Sequence, residues 1–368
     1  MIDSLEKLKQ ILKKNPPAGG LDAALISSIS NIIYLTNYSG FSKEEREAYL
    51  LITQNRRYII TDGRYSEAVK NNIKRFELIE ISPKLSFEKT LKNLAKKNKI
   101  KKIGFEGHNI TFLEHEKLLQ HFDGSNHRSV ESLRIIKSSK EISKIEKACT
   151  LSDKTFDYIL KKIKLGISEK ELAFEIEFFI KKHGADISFR PIVAFGKNSS
   201  IPHHQSENLK LKTDNIILLD LGVKLNNYCS DMTRTVFFGK PTREQKRMYE
   251  TVLEAQQKAI QQFSNLSMRR PKEQVKASEI DKAAREYIIS KGYKSIPHSL
   301  GHGIGIDVHE APHLSPKSKD ILKEGMVFSI EPGIYIPGFG GVRIEDLVTL
   351  EKNGPRLLTH SPRTLIEI

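Results

Sequence analysis

Apolar residues recur with helical spacing in some stretches of the chain and in short unbroken runs in others. Leu5, Leu8 and Leu12 fall three and four residues apart among lysines and glutamates, so residues 2–14 are predicted to form a one-faced helix. Asn15-Pro16-Pro17 ends it, because proline has no N–H to offer the next turn. Short apolar runs at residues 23–26, 32–35, 49–53 and 58–61, set between turn residues, read as strands. Residues 64–70 open a helix, and residues 102–106 read as a further strand. Residues 1–130 are thus expected to form a separate α/β domain. Its isolated polar residues Asp62, Arg64 and His108 are assigned surface or structural roles.

Beyond a boundary near residues 125–132 the helices lengthen. Ser138 with Glu141 is a capping box, and Ile142, Ile145, Leu151, Phe156, Ile159 and Ile163 supply the stripe of a helix expected to end at Gly166. Ser168 with Glu171 caps the next, which carries Leu172, Ile176 and Ile180. A third starts at Thr242 with Gln245 and runs through Met248, Val252 and Ala255, followed by a polar connection at residues 264–276. A fourth begins at Ser278, with Ile280, Ala284 and Tyr287 on one face. Strands are predicted at residues 216–223, 228–238, 326–330 and 342–348. No short repeat or low-complexity segment interrupts the pattern. Residues 131–368 are expected to be the second domain.

Composition narrows the class. The chain has 368 residues, enough for two domains. Its net charge of +15 comes from lysines scattered along amphipathic segments, without a long basic block, so nucleic acid is not expected as a partner. No apolar run approaches the ~18 residues of a membrane helix, and the first residues lack the apolar stretch of a secretory signal. With two cysteines, Cys149 and Cys229, the expectation is a cytoplasmic protein without a disulfide framework.

The candidate chemistry lies in the second domain. Residues 298–313 hold four histidines, and Gly301, Gly303 and Gly305 surround His302, allowing close approach to its backbone. The neighbouring strands carry acids inside aliphatic runs. Asp220 follows Ile216-Ile217-Leu218-Leu219, Glu331 follows Met326 to Ile330, and Asp231 and Glu345 stand in the other two strands. A buried carboxylate must be neutralised by a partner or a cation. Asp220 alone has a salt-bridged core position as an equal alternative. Asp220, Asp231, His302, Glu331 and Glu345 together form a ligand set whose four negative charges two divalent cations cancel. Oxygen donors with one imidazole suit manganese, cobalt, iron or zinc. Cys229 is read as an inert buried thiol, and His203 and His309 as free for proton transfer or substrate contact.

These motifs resemble the pita-bread metallopeptidases, the fold of methionine aminopeptidase, aminopeptidase P, prolidase and creatinase. The matching stretches are Asp220-Leu-Gly, Ser230-Asp231-Met-Thr-Arg, Gly301-His302-Gly-Ile-Gly with His309-Glu310, Glu331-Pro332-Gly333, and Gly341-Val-Arg-Ile-Glu345-Asp346. Residues 32–40, Thr61-Asp62-Gly63-Arg64-Tyr65 and Leu133 to Ser138 resemble the proline-directed branch, so the likeness covers nearly the whole chain. It implies a creatinase-like α/β domain followed by a pita-bread domain of α+β type. It further implies two bound metals, manganese foremost, bridged by Asp231 and Glu345. Asp220 would hold one metal, and His302 with Glu331 the other. Glu331 would also carry a proton. His203 and His309 would line the substrate, with a one-residue shift exchanging His203 and His204; His298 and His313 are left as structural. The implied protein is a homodimer that cleaves after an N-terminal residue preceding proline, in dipeptides (prolidase) or longer peptides (aminopeptidase P). The alternative is a metal-free member that binds proteins or RNA. Creatinase uses no metal ligands, and methionine aminopeptidase normally lacks the N-terminal domain. A proline-directed site needs an apolar slot for a ring whose nitrogen carries no proton. Phe195 and Ile201 are expected to contribute to that slot, and Arg343 to support the acids or a substrate carboxylate.

Overall fold

The computed structural model describes residues 4–14, 20–42, 45–127, 129–269 and 274–368, and the chain divides into two compact units, Met1–Arg134 and Ile135–Ile368. The first is built on a six-stranded sheet of order β4-β3-β2-β1-β5-β6, with β1 Ala23–Ile26, β2 Ala48–Thr53, β3 Arg57–Asp62, β4 Glu77–Ile81, β5 Lys102–Phe105 and β6 Asp123–Asn126. Its helices are α1 Ser4–Lys14, α2 Ile29–Thr36, α3 Ser66–Asn72, α4 Phe87–Asn98, α5 Phe112–Leu119 and α6 Ser129–Ile135. Leu25, Leu51, Ile60, Leu91, Leu94 and Ile103 meet in its core. Leu5, Leu8 and Leu12 are buried on α1 as their spacing requires. The Asn15-Pro16-Pro17 stop lies outside the described residues.

One predicted strand of this unit is a helix. Residues 32–35 belong to α2, in which Ile29, Ser30, Asn31, Ile32, Ile33 and Leu35 are all buried. A helix enclosed on most sides shows no polar face, and its β-branched run mimics a strand. Asn37 ends it in the left-handed region, at φ 61°.

The second unit packs helices against several sheets. Its helices are α7 Ser139–Leu160, α8 Glu169–Lys182, α9 Arg243–Arg269 and α10 Ala277–Ser290. The first strands are β7 Asp186–Ile187, β8 Ile192–Phe195, β9 Asn215–Leu221, β10 Val223–Leu225, β11 Tyr228–Cys229 and β12 Met232–Phe238. The later ones are β13 Gly301–Gly303, β14 Glu310–Leu314, β15 Val327–Ile330, β16 Gly333–Ile336, β17 Gly340–Arg343, β18 Asp346–Glu351 and β19 Gly354–Leu357. They form sheets of order β11-β10-β7, β12-β9-β8 and β14-β13-β15-β18-β19, and a β16-β17 ribbon. One core packs α7 and α8 on β8, β9 and β12 through residues such as Phe156, Ile176, Phe195, Leu219 and Val236. The other packs α9 and α10 on the five-stranded sheet and the ribbon, through Val252, Ile280, Phe328 and Val342.

Both predicted capping boxes form, at Ser138–Glu141 and Ser168–Glu171, and Thr242 caps α9 through Gln245. α10 begins at Ala277, one residue before the expected Ser278, and two other helix boundaries differ more. α7 ends at Leu160, and Gly166, at φ 80°, lies in the turn beyond. α9 continues through Arg269, so its helical backbone includes residues 264–269 of the expected connection; residues 270–273 lie outside the described ones. Three predicted strands are each divided. The run 216–223 breaks at Gly222, between β9 and β10 of different sheets. The run 228–238 breaks at Ser230-Asp231, between β11 and β12, and the run 342–348 breaks at Ile344-Glu345, where the chain leaves the ribbon to pair β18 with β15. The residues on both sides of each break are buried, so burial does not betray the change of sheet.

Candidate metal centre and active-site cavity

The breaks place the acids. Asp220 lies within β9, paired in register with Thr233 of β12. Asp231, Glu331 and Glu345 occupy strand junctions, free of the strict two-residue alternation that would bind them to one face. His302 is on β13, whose close approach to β15 depends on Gly301: a Cβ there would collide with the Ser329 carbonyl oxygen. Single ligand atoms of Asp231, His302 and Glu345 all lie within 4.8 Å of one another. His302 Nε2 is 3.6 Å from Asp231 Oδ2 and 3.4 Å from Glu331 Oε1. Its Nδ1 donates to the Gly303 carbonyl at 3.1 Å, which leaves the Nε2 lone pair facing the acids. Ser329 Oγ accepts from the His302 N–H and donates to Glu331 Oε1, each at 3.1 Å.

Asp220 stands apart from that trio. Its Oδ2 accepts from Arg343 Nη2 at 2.6 Å. The same guanidinium reaches Thr233 Oγ1 at 3.0 Å, Tyr335 Oη at 2.8 Å and the Pro202 carbonyl at 3.3 Å. Thr233 Oγ1 in turn donates to Glu345 Oε2 at 2.7 Å. Arg343 thus touches the acid cluster directly through Asp220 and indirectly through Thr233.

The cluster is electrostatically overloaded. Burial, followed by the charge of neighbouring acids, pushes Asp231 and Glu345 well above the usual carboxylate range. Burial raises Glu331 to about 7, with Arg343 opposing and Asp220 adding to the rise. Asp220 Oδ1 and Glu345 Oε1 are buried without a hydrogen-bond partner among the described residues. Such oxygens are costly unless a cation meets them. Four carboxylates, one inward imidazole and two unpaired oxygens fit divalent cations.

These residues line a cavity of about 680 Å3 that also takes in His203, His204, His298, His309, His313 and Arg343. The His309 ring is 4.3 Å from that of His302, and burial lowers its basicity. His203 is exposed, whereas His204 is buried with Nε2 at 2.8 Å from Glu169 Oε2. His298 is fixed by the Ser299 carbonyl at 2.7 Å and Tyr335 Oη at 3.0 Å, and burial lowers it to about 4. His313 is the register partner of His302 across β13 and β14. The expected apolar slot is elsewhere. Phe195 is fully buried in the α7–α8 core, and Ile201 is 51% exposed and does not line the cavity. Phe189, Pro191, Ile192, Pro202 and Val308 supply the apolar lining instead. Phe195 ends β8 facing the helices, an orientation that its distance in sequence from His203 could not reveal.

Two supporting residues escaped the sequence reading. Tyr335 joins Arg343 to His298. Arg234, nearly fully buried, donates to the carbonyls of Thr233 at 2.9 Å and Glu345 at 2.5 Å and pairs with Asp346 Oδ1 at 2.6 Å. Its signal was a charged residue inside the run 232–238, with a second acid, Asp346, directly after Glu345.

Comparison with known proteins settles the class. Residues 143–352 match Metallopeptidase family M24. The chain belongs to this family. Its first unit corresponds to a Creatinase/Prolidase N-terminal domain, matched over residues 5–138. Among M24 relatives, it is 35% identical to an Xaa-Pro dipeptidase of Pyrococcus horikoshii, covering 100% of this chain and 99% of the other. The solved structure of an Xaa-Pro dipeptidase from Bacillus anthracis is similar with a TM-score of 0.89 and 34% identity, over 99% of both chains. That of an X-Pro aminopeptidase from Thermotoga maritima is similar at 0.88 and 34%, over 100% of both. The M24 fold, a creatinase-type domain followed by a pita-bread domain, is that expected from the motifs. M24 membership also implies divalent metal ions, in agreement with the acid and histidine cluster.

Proposed function

We propose that this chain hydrolyses the bond between an N-terminal residue and proline, in Xaa-Pro dipeptides and in longer Xaa-Pro peptides. The observation that carries this reading is the convergence of buried, under-neutralised carboxylates and the His302 imidazole on a cavity large enough for a short peptide. Relatives over the full chain length that are named for Xaa-Pro hydrolysis support the substrate. Asp220, Asp231, His302, Glu331 and Glu345 would hold two divalent ions; manganese is the first choice. The chemistry such ions supply is polarisation of a carbonyl and activation of water. Glu331 would also carry a proton during the reaction. His203 and His309 donate to the carbonyl oxygen as charge develops there. Phe189, Pro191, Ile192, Pro202 and Val308 exclude water and receive the proline ring. The working form is a cytoplasmic homodimer. Among the described residues, no helix is long and apolar enough to cross a membrane.

A metal-free binding module is not supported. All five candidate ligands are present, and the relatives above are named as peptidases. The test is hydrolysis of Ala-Pro and Ala-Pro-Ala by chelated protein before and after manganese is added. Manganese-dependent release of alanine is expected from at least one of them. Full activity in verified metal-free protein would end the reading.

A further inference from the structure

The segment that presents His203 is fastened from behind by a single buried carboxylate. Glu169, the first residue of α8, has no solvent-exposed surface. Its Oε1 accepts from the Phe195 N–H at 2.7 Å and from Asn198 Nδ2 at 3.0 Å. Its Oε2 accepts from His204 Nε2 and from the Glu207 N–H, both at 2.8 Å. Four donors occupy the four lone-pair positions that a carboxylate offers, and they are spread over residues 195–207. The position at a helix N-terminus favours the negative charge. A carboxylate oxygen only accepts, so Nε2 of His204 carries the proton and the ring orientation is fixed.

His203 itself makes no hydrogen bond or ion pair among the described residues, although it lines the cavity. Its flanks are held instead. The Pro202 carbonyl accepts from Arg343 Nη1 at 3.3 Å, and His204 is held by Glu169. The backbone turn between them closes through the His204 N–H to the Ile201 carbonyl at 3.1 Å. A group meant to meet developing charge needs placement to a fraction of an ångström. Here that placement is delegated to a neighbour. We propose that Glu169 and His204 are positioning residues that set His203 against the substrate. This deepens the reading above and rests on the substrate-side role given there to His203. The adjacent histidines, both on the cavity wall, thereby divide the work: the exposed His203 is left to meet substrate, and the buried His204 anchors the loop.

The test is a double-mutant cycle on the full-length, metal-loaded protein with Ala-Pro as substrate. His204→Phe leaves three of the four bonds to Glu169 in place, so folding does not hinge on it. It is expected to lower kcat by up to about 10²-fold, to change KM less, and to retain the wild-type metal content. His204→Gln, whose side-chain amide supplies an N–H, should recover most of that loss. In a His203→Ala background, His204→Phe should cost nothing further. Amide hydrogen exchange over residues 196–207 should quicken in His204→Phe. An equal fold-loss with and without His203, or unchanged exchange in that segment, overturns the proposal while leaving the peptidase reading intact. Full activity in His203→Ala removes the substrate-side role of His203, and this proposal with it.

Discussion

Each unit buries a carboxylate deep among apolar side chains, and the two are treated in opposite ways. In the first unit, Glu106 has no exposed surface. Its Oε2 accepts from the Ser27 N–H, Ser27 Oγ and the Ser28 N–H, at 2.6, 3.1 and 2.7 Å, and Asn31 Nδ2 donates to its Oε1. In the second unit, Asp220 and Glu345 each keep one buried oxygen without a partner, and Asp231 and Glu331 crowd against them. Burial raises the Glu106 pKa, with hydrogen bonds from Asn31, Ser28 and Ser27 opposing and Glu131 adding least, whereas for Asp231 and Glu345 the like charge of neighbouring acids is the next cause after burial. Burial alone therefore does not mark a functional acid. A saturated carboxylate holds backbone in place; an unsaturated cluster calls for positive charge.

The most severe test of this contrast is Asp231→Asn. A neutral amide bridges two cations poorly, so elemental analysis should find the metal pair lost and peptide hydrolysis abolished. In chelated protein the same substitution should raise the melting temperature, because it removes one of several crowded charges. A fall would mean that the cluster is not strained in the absence of metal. Next in size, His203→Ala and His309→Ala should keep their metal and lose about 10²-fold in kcat. Metal-free His309→Ala protein would move that residue among the ligands. Smaller again, Ala-Ala-Ala should be cleaved at least about tenfold less well than Ala-Pro-Ala, about 1.4 kcal/mol. Equal kcat/KM for the two would remove the proline preference but not the peptidase. The smallest effect is reserved for the saturated acid. Glu106→Gln should destabilise the protein by about 1–3 kcal/mol in denaturant melts while leaving metal content at the wild-type level. Metal loss there would erase the distinction between the two kinds of buried acid.

Much of this was legible in the sequence, for definable reasons. Acids inside aliphatic runs are rare enough that Asp220, Glu331 and Glu345 stood out, and glycines around His302 marked a close approach. What hydropathy could not show was where buried strands change partners, as at Ser230-Asp231 and Ile344-Glu345, or that the apolar run at residues 32–35 is a helix closed in on most sides. Nor could it separate His203 from His204, since adjacent residues differ only in what faces them. Phe195 misled because large apolar residues near a motif are more often core than pocket, and its burial in the α7–α8 core is the common outcome.

The strand junctions carry a consequence for how the molecule comes apart. Asp220 belongs to the β12-β9-β8 sheet and His302 to the five-stranded sheet, while Glu345 hangs between that sheet and the β16-β17 ribbon. No sheet owns the centre. Loosening any one of them withdraws at least one candidate ligand, so partial unfolding of this unit is incompatible with an assembled site. Bound ions would act as a clasp across the sheets, making them melt as one cooperative body. Along a denaturant titration, hydrolysis and β-structure should then vanish at the same midpoint.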